Sequence, residues 1–342
     1  MIRIGINGYG RIGRVIHRIS DLNPNISIVA INDINPDINN IAYLSNYDST
    51  YGPRDTKISS DGDDLICGEN RIKVSHEDDI SNVAWEDSST DIVIDSSGIE
   101  SNLKSARKLE GKVKHVVVTN SPPEDLVDNT IIFGVNHESI EHDHFLISSS
   151  ICDAIAFAPV AKLLNDNFEI TEGYLTTLHP WLGYQNLLDG PSKSYGQPGK
   201  IYDNYALGRS SVMSLIPKYT SAISATYKVL PEIKDKFLAV SYRIPTSIVS
   251  SGDATIKVKK DISLGDIESL LLNYENDFPK ILKNNTEGLI STDFVKTDFS
   301  VVVDNRFLMV KENTIKILTW YDNEWGYSSR VVDLIDYIGS GN

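Results

Sequence analysis

The sequence predicts an α/β protein in two parts. Residues 1–151 read as a doubly wound parallel sheet completed by a C-terminal helix over 323–342; residues 152–322 read as an α+β domain with a mainly antiparallel sheet and a long loop over 183–209. Three observations carry this. A strand runs into a glycine loop and a helix at the N-terminus, short apolar runs alternate with helical stretches through the first third, and the pattern changes after about residue 150.

"IRIGIN" (2–7) is a strand, "RIGRVIHRISDL" (11–22) an amphipathic helix, and "ISIVAIN" (26–32) the next strand. "DIVIDSS" (91–97) and "HVVVTN" (115–120) are further strands of the same apolar type, as expected for a sheet covered on both faces. Beyond residue 150 the strands lengthen and alternate: "EGYLTTLHP" (172–180), "FLAVSYRIPT" (237–246), "ATIKVKK" (254–260) and "NTIKILTWYD" (313–322). "SLGDIESLLLNYEND" (263–277) is a helix with Ser263 as N-cap, and "SSRVVDLIDYIGS" closes the chain as an amphipathic helix.

Composition excludes several classes. A chain of 342 residues exceeds one ordinary core, and 41% hydrophobic with 23% charged residues is a soluble globular balance. No run approaches the roughly 20 apolar residues of a membrane span, and the N-terminus lacks a signal peptide's apolar region. A net charge of −15 opposes sequence-independent nucleic-acid binding, which needs Lys and Arg on phosphates. Two cysteines make neither a disulfide framework nor a metal-ligand cluster, so no metal is expected and the cytoplasm is the expected compartment.

Gly8-Tyr9-Gly10-Arg11-Ile12-Gly13 is a GxGxxG loop between a strand and a helix, where bare backbone approaches a pyrophosphate at a helix N-terminus. Asp33 lies 20 residues after Gly13, directly after the second strand, where a carboxylate accepts from the ribose hydroxyls. A carboxylate there repels a 2′-phosphate, which favours NAD over NADP. The N-terminal part is therefore expected to be a Rossmann-type NAD-binding domain.

Cys152 stands in "ISSSICDAIAFAPVAKLL" among small and apolar residues. Such a cysteine is either a small buried hydrophobe or a nucleophile. It begins a predicted helix, whose positive end favours a thiolate, and it falls at the predicted domain junction. A nucleophile needs a base, and "TTLHPW" supplies His179 on a strand 27 residues on.

These residues belong to a wider pattern. The chain resembles phosphorylating glyceraldehyde-3-phosphate dehydrogenases in "INGYGRIGR" (6–14), "YDSTYG" (47–52), "GVNHE" (134–138), "TTLHPW", "LDGPS" (188–192), "KVLPE" (228–232), "YRIPT" (242–246) and "WYDNEWGYSSRVVDL" (320–334). The resemblance implies Cys152 as the nucleophile that forms a thiohemiacetal and then a thioester, His179 as the base, and inorganic phosphate as the acyl acceptor. It implies cofactor contacts at Gly8, Gly10, Arg11, Ile12, Gly13, Asn32, Asp33, Ser97, Gly98 and Thr119, with Asn323 on the nicotinamide carboxamide and Tyr327 beside the ring. Arg243, Thr220, Ser221 and Arg209 fall at anion-binding positions for the phosphorylated aldehyde and phosphate, and a homotetramer is implied as well.

Departures cluster around the nucleophile. Where the family has Ser-Cys-Thr-Thr-Asn-Cys, this chain has Ile151-Cys152-Asp153-Ala154-Ile155-Ala156. Ile151 donates no hydrogen bond, and Asp153 repels an incoming phosphate by roughly 4 kcal/mol at ~4 Å and an effective dielectric of about 20. The carboxylate is also expected to raise the thiol pKa, against the helix dipole. Leu182 and Tyr184 replace polar substrate contacts, and the 183–209 loop carries about nine extra residues by alignment to the motifs. Alternatives stay open: a dehydrogenase for another phosphorylated aldehyde such as erythrose 4-phosphate, an isoform resistant to a thiol-directed inhibitor, or a non-catalytic NAD-binding protein.

Overall fold

Runs of isoleucine and valine build the first sheet, because strands buried on both faces need apolar side chains in both directions. In the computed structural model, which describes residues 1–341, the chain divides into two units. Met1–Phe133, His137–Ser150 and the chain from Ser328 onward make the first; Gly134–Asn136 and Ile151–Tyr327 make the second. Residue 342, the last of the expected C-terminal helix, lies outside the described residues.

In the first unit, β1 (Ile2–Asn7) leads through the glycine loop into α1 (Arg11–Ser20), and β2 (Ile26–Asn32) returns parallel to β1. α2 (Ile38–Asn46) is capped by the Asp37 carboxylate, which accepts from the Asn39 and Asn40 N–H groups. A short hairpin, β3 (Tyr47–Asp48) with β4 (Gly52–Pro53), follows. β5 (Ile58–Asp61), β6 (Asp64–Cys67) and β7 (Asn70–Ser75) form an antiparallel meander whose last strand joins β2 in parallel. β8 (Ile92–Asp95), α3 (Glu100–Ser105), β9 (His115–Val118), β10 (Asn129–Thr130) and β11 (Leu146–Ser148) complete a nine-stranded sheet of order β10-β11-β9-β8-β1-β2-β7-β6-β5. The parallel core was expected; the meander extends it beyond the expectation. Asn7, Asn32 and Asp95 stand in register at the ends of β1, β2 and β8. The Asn32 amide donates to Asn7 Oδ1 at 2.7 Å and the Asn7 amide to Asp95 Oδ1 at 2.9 Å.

The second unit starts at α4 (Cys152–Phe168), followed by β12 (Ile170–Pro180), β13 (Ile216–Lys218), α5 (Ala222–Tyr227), β14 (Phe237–Ile244) and β15 (Ser250–Val258). α6 (Leu264–Asp277) carries the expected Ser263 cap as a full capping box with Asp266. β16 (Leu282–Asn285), β17 (Val301–Asp304), β18 (Met309–Lys311) and β19 (Thr314–Tyr321) finish a mixed sheet of order β13-β14-β12-β15-β19-β17-β16, with β18 on β19. Most pairings are antiparallel, but β12–β14 and β16–β17 are parallel. Val160 and Leu164 of α4 join Ile170, Ile256, Val301 and Ile315 in one buried core, so the helix that starts at Cys152 is fixed against the sheet.

α7 (Trp325–Gly339) differs from the expected boundary: its first turn belongs to the second unit. The reason is local. Asp322 Oδ1 accepts from the Glu324 and Trp325 N–H groups while Oδ2 accepts from Lys296 N, which ties 323–327 to the loop before β17.

Candidate active site

In the first unit the site begins with what the glycines leave out. Gly8 has φ +84°, and a Cβ there would lie 2.5 Å from Ser97 backbone atoms; a Cβ at Gly13 would lie 2.5 Å from Gly8 O. The bare backbone is thus required by close approach as well as conformation. Gly10 is the N-cap of α1 without a side-chain cap, and no acid stands in the first turn, so the N–H groups and the positive helix end are left for an anion. Asp33 Oδ2 accepts from Tyr9 N at 2.7 Å and Oδ1 from Asn35 N at 2.9 Å, which fixes its carboxylate beside the loop.

The other expected cofactor residues of this unit lie at the same strand ends. Ser97 Oγ donates to Asp95 Oδ1 at 2.6 Å, Gly98 has φ +66°, and Thr119 Oγ1 donates to the Asp95 carbonyl at 3.1 Å. Ile12 is half-buried, and the Arg11 guanidinium is 3.3 Å from Asp48. Asn32, another expected cofactor contact, has its side chain engaged within the protein. Its amide bonds Asn7 and the Glu77 carbonyl, its oxygen accepts from Ser75 and Glu77, and its own carbonyl accepts from Gly8 N. It holds the Gly8 turn instead of offering a free polar group. Elsewhere in this unit His17, Asp21 and Cys67 place ligand-type atoms within 4.8 Å of one another. The Arg54 guanidinium bonds Asp21 and reaches Cys67 Sγ at 3.9 Å, so a cation already fills that cluster.

In the second unit strand register gathers the chemistry. Residues directly opposite on adjacent strands share a face. His179 on β12 pairs with Arg243 on β14, Thr177 with Ser241, and Lys218 on β13 with the same Ser241, so all five side chains stand on one face. Cys152, the first residue of α4, faces them: His179 Nε2 lies 3.6 Å from Cys152 Sγ. His179 Nδ1 lies 2.8 Å from the Pro180 carbonyl, which can only accept, so Nδ1 carries the proton and Nε2 presents a lone pair to the thiol.

Asp153 is buried beside the nucleophile. Its Oδ1 accepts from Tyr321 Oη at 2.8 Å and lies 3.7 Å from Cys152 Sγ. The expected effect on the thiol follows: burial pushes Cys152 well above the ordinary thiol range, Asp153 pushes it further, and Arg243 opposes both. His179 is held down at about 4, first by burial and then by the Arg243 charge, with Lys218 adding to the effect and Asp153 opposing it. Burial and Arg243 also lower Lys218, against Asp153 and Cys152. The resting pair is therefore a neutral thiol and a neutral imidazole, with Nε2 placed where it could accept the thiol proton. Tyr321 and Lys218 were not singled out in the sequence. Tyr321 had a usable signal in the inward phase of the β19 alternation, whereas the three-residue β13 gave none for Lys218.

The remaining expected residues separate. Arg243 is buried, and among the described residues its Nε has no hydrogen-bond partner. Asn323 is buried and its Oδ1 is likewise unpartnered, which suits an acceptor waiting for a carboxamide N–H; Tyr327 is buried in the first turn of α7. Thr220 Oγ1 accepts from Ala222 N at 3.1 Å, and Ser221 is the N-cap of α5 without a side-chain cap bond. Arg209 departs from the expectation: it is exposed and its Nε donates to Asp189 at 2.8 Å, because the loop folds back on itself. That loop is organised by Tyr184, whose ring lies 5.9 Å from Tyr195 and 6.5 Å from Tyr202.

Comparison with known proteins agrees with these features. Residues 2–103 match the family model described as glyceraldehyde 3-phosphate dehydrogenase, NAD binding domain, and residues 151–323 match the one described as glyceraldehyde 3-phosphate dehydrogenase, C-terminal domain. The chain is 36% identical to "Glyceraldehyde-3-phosphate dehydrogenase 2" of Caenorhabditis briggsae, over 98% of each chain. It is 37% identical to "Glyceraldehyde-3-phosphate dehydrogenase" of Priestia megaterium, over 99% of this chain and 98% of the relative. It is 35% identical to "Glyceraldehyde-3-phosphate dehydrogenase 3" of Saccharomyces cerevisiae, over 99% of each.

Proposed function

Because the chain belongs to the glyceraldehyde-3-phosphate dehydrogenase family, we propose that it oxidises glyceraldehyde 3-phosphate with NAD and passes the acyl group to inorganic phosphate. The observation that carries the reading is the 3.6 Å contact of His179 Nε2 with Cys152 Sγ, with Nδ1 anchored on Pro180. Cys152 Sγ attacks the aldehyde carbon as Nε2 takes the thiol proton and passes it to the forming alkoxide, giving a thiohemiacetal and a neutral His179. His179 then accepts the hemiacetal hydroxyl proton as the carbon is oxidised to a thioester. NAD, when bound, supplies the hydride acceptor. Gly8, Gly10 and Gly13 would hold its pyrophosphate, Asp33 its adenosine ribose and Asn323 Oδ1 its carboxamide.

Arg243 grips the substrate's phosphate in this reading, and its unpartnered buried Nε supports that role. A homotetramer in the cytoplasm completes the proposal. Both cysteines are free thiols, and the family resemblance supports the assembly. Light scattering on the purified chain tests the tetramer. Steady-state NADH formation from glyceraldehyde 3-phosphate, dependent on Cys152 and lowered about 10²–10⁴-fold by His179→Asn with NAD affinity kept, tests the chemistry. A second reading, oxidation of another phosphorylated aldehyde such as erythrose 4-phosphate, is motivated by the replacement of the family's polar anion contacts by Ile151 and Leu182. The ratio of kcat/KM for the two aldehydes decides between them.

A further inference from the structure

We propose that Asp153 is a catalytic general base that lets water release the acyl group from Cys152, giving this chain a hydrolytic exit beside the phosphate-dependent one. The inference rests on the aldehyde oxidation proposed above. Its ground is the placement of a buried carboxylate in contact with the reacting sulfur: Oδ1 is 3.7 Å from Cys152 Sγ. Tyr321 Oη also addresses Oδ1, at 2.8 Å, and its strand fixes the carboxylate's orientation. Both contacts fall on Oδ1, which leaves Oδ2 to receive a proton. Asp153 also lines a hollow of about 10 Å³ whose walls are mostly apolar, among them Phe157, Val160 and Ile317, with Thr177, Thr319 and Tyr321 as its other polar side chains.

The carboxylate also sorts the two acceptors. An incoming phosphate meets its negative charge, whereas a neutral water meets a hydrogen-bond acceptor. A purely structural acid in the first turn of α4 would complement the helix dipole from the solvent side. This one is turned inward onto Tyr321 and the thiol.

The step balances without a further reactant. Water oxygen attacks the thioester carbon as its proton passes to Asp153. The tetrahedral oxyanion collapses, the carbon–sulfur bond breaks, and the departing thiolate takes the proton back from the adjacent carboxyl. The products are a free carboxylic acid and the Cys152 thiol.

The test uses the full chain with glyceraldehyde 3-phosphate and NAD in the absence of phosphate, following NADH and separating free acid from acyl phosphate by hydroxylamine trapping. The expected result is sustained phosphate-free turnover to the free acid. Asp153→Asn keeps the acceptor for Tyr321 but takes no proton, so it should give a burst of one NADH per site and then a steady rate at least about 100-fold lower. Asp153→Thr serves as the second variant, and a burst in either shows that the site is folded and acylates. A burst without turnover in the natural chain, or an undiminished phosphate-free rate in Asp153→Asn, overturns the hydrolytic role and leaves the oxidation standing. Absence of any NADH, with or without phosphate, removes the oxidation and this exit together.

Discussion

Arg243 stands directly across from His179 in the register of two parallel strands, and its charge helps hold the imidazole near 4. The same guanidinium stabilises a thiolate at Cys152, while Asp153 opposes one. One sheet face thus carries a cation that suppresses the base's proton, and one helix turn carries an anion that suppresses the nucleophile's charge.

Alkylation of Cys152 should report these opposed charges. Asp153→Asn removes a carboxylate that raises the thiol pKa, so the iodoacetamide rate profile should move to lower pH. Arg243→Gln removes the charge that lowers it, so the profile should move to higher pH. Shifts in the same direction for the two variants would refute this arrangement.

Stability should fall in mild acid. His179 has a folded pKa near 4, below the ordinary value of 6.5, so the unfolded chain binds more protons between those limits. Its contribution is fully present above about pH 6.5 and is lost as pH falls toward 4, with a limiting slope of about 1.4 kcal/mol per pH unit. Burial and the charges of Arg54 and Arg18 hold His17 down as well, so it adds to the loss below its ordinary value. Melting temperature measured from neutral to mildly acid pH should decline, and His179→Asn should make the decline shallower.

Much of this was legible in local pattern, and the remainder depended on pairing between distant segments. The glycine loop, Asp33 and the β1–α1–β2 order needed only neighbours in sequence, and Ser263 was readable as the cap of the helix it precedes. The meander of β5 to β7 did not show, because "ISSD" and "DLIC" are too short and too polar to declare a period. Lys218 and Tyr321 join the site only through strand register, which no single stretch encodes. Arg209 carried the right motif, yet an aspartate 20 residues earlier claims it once the loop closes.

The substrate's charge should be read by Arg243. If its buried guanidinium meets the substrate phosphate, Arg243→Gln should raise KM for glyceraldehyde 3-phosphate at least about tenfold, since hydrogen bonds to charged groups are worth roughly 1.5–3 kcal/mol. Turnover of unphosphorylated glyceraldehyde should change less. Equal losses on both aldehydes would assign Arg243 to the electrostatics of Cys152 and His179 alone.

The glycine loop sets a steric prediction. Gly8→Ala places a Cβ 2.5 Å from Ser97 backbone at φ +84°, and Gly13→Ala places one 2.5 Å from Gly8 O. Neither obstacle is a flexible side-chain tip, so both variants should lose NAD affinity by at least about tenfold and stability by roughly 1–3 kcal/mol. Gly10→Ala meets no atom within 4 Å and serves as the contrast in the same calorimetric titration.

Cofactor choice should turn on Asp33. Its carboxylate is locked by the Tyr9 and Asn35 N–H groups at 2.7 and 2.9 Å, so it cannot swing away from a ribose placed beside it. A 2′-phosphate there would face a fixed negative charge, worth roughly 4 kcal/mol at ~4 Å and an effective dielectric of about 20. Asp33→Asn removes the charge and keeps an acceptor for one of the two backbone N–H groups. Its NADP-to-NAD ratio of kcat/KM should therefore rise at least about tenfold, mostly through improved NADP use, with turnover on NAD largely kept once saturated. An unchanged ratio in paired initial-rate measurements would mean that Asp33 orders the glycine loop without selecting the cofactor.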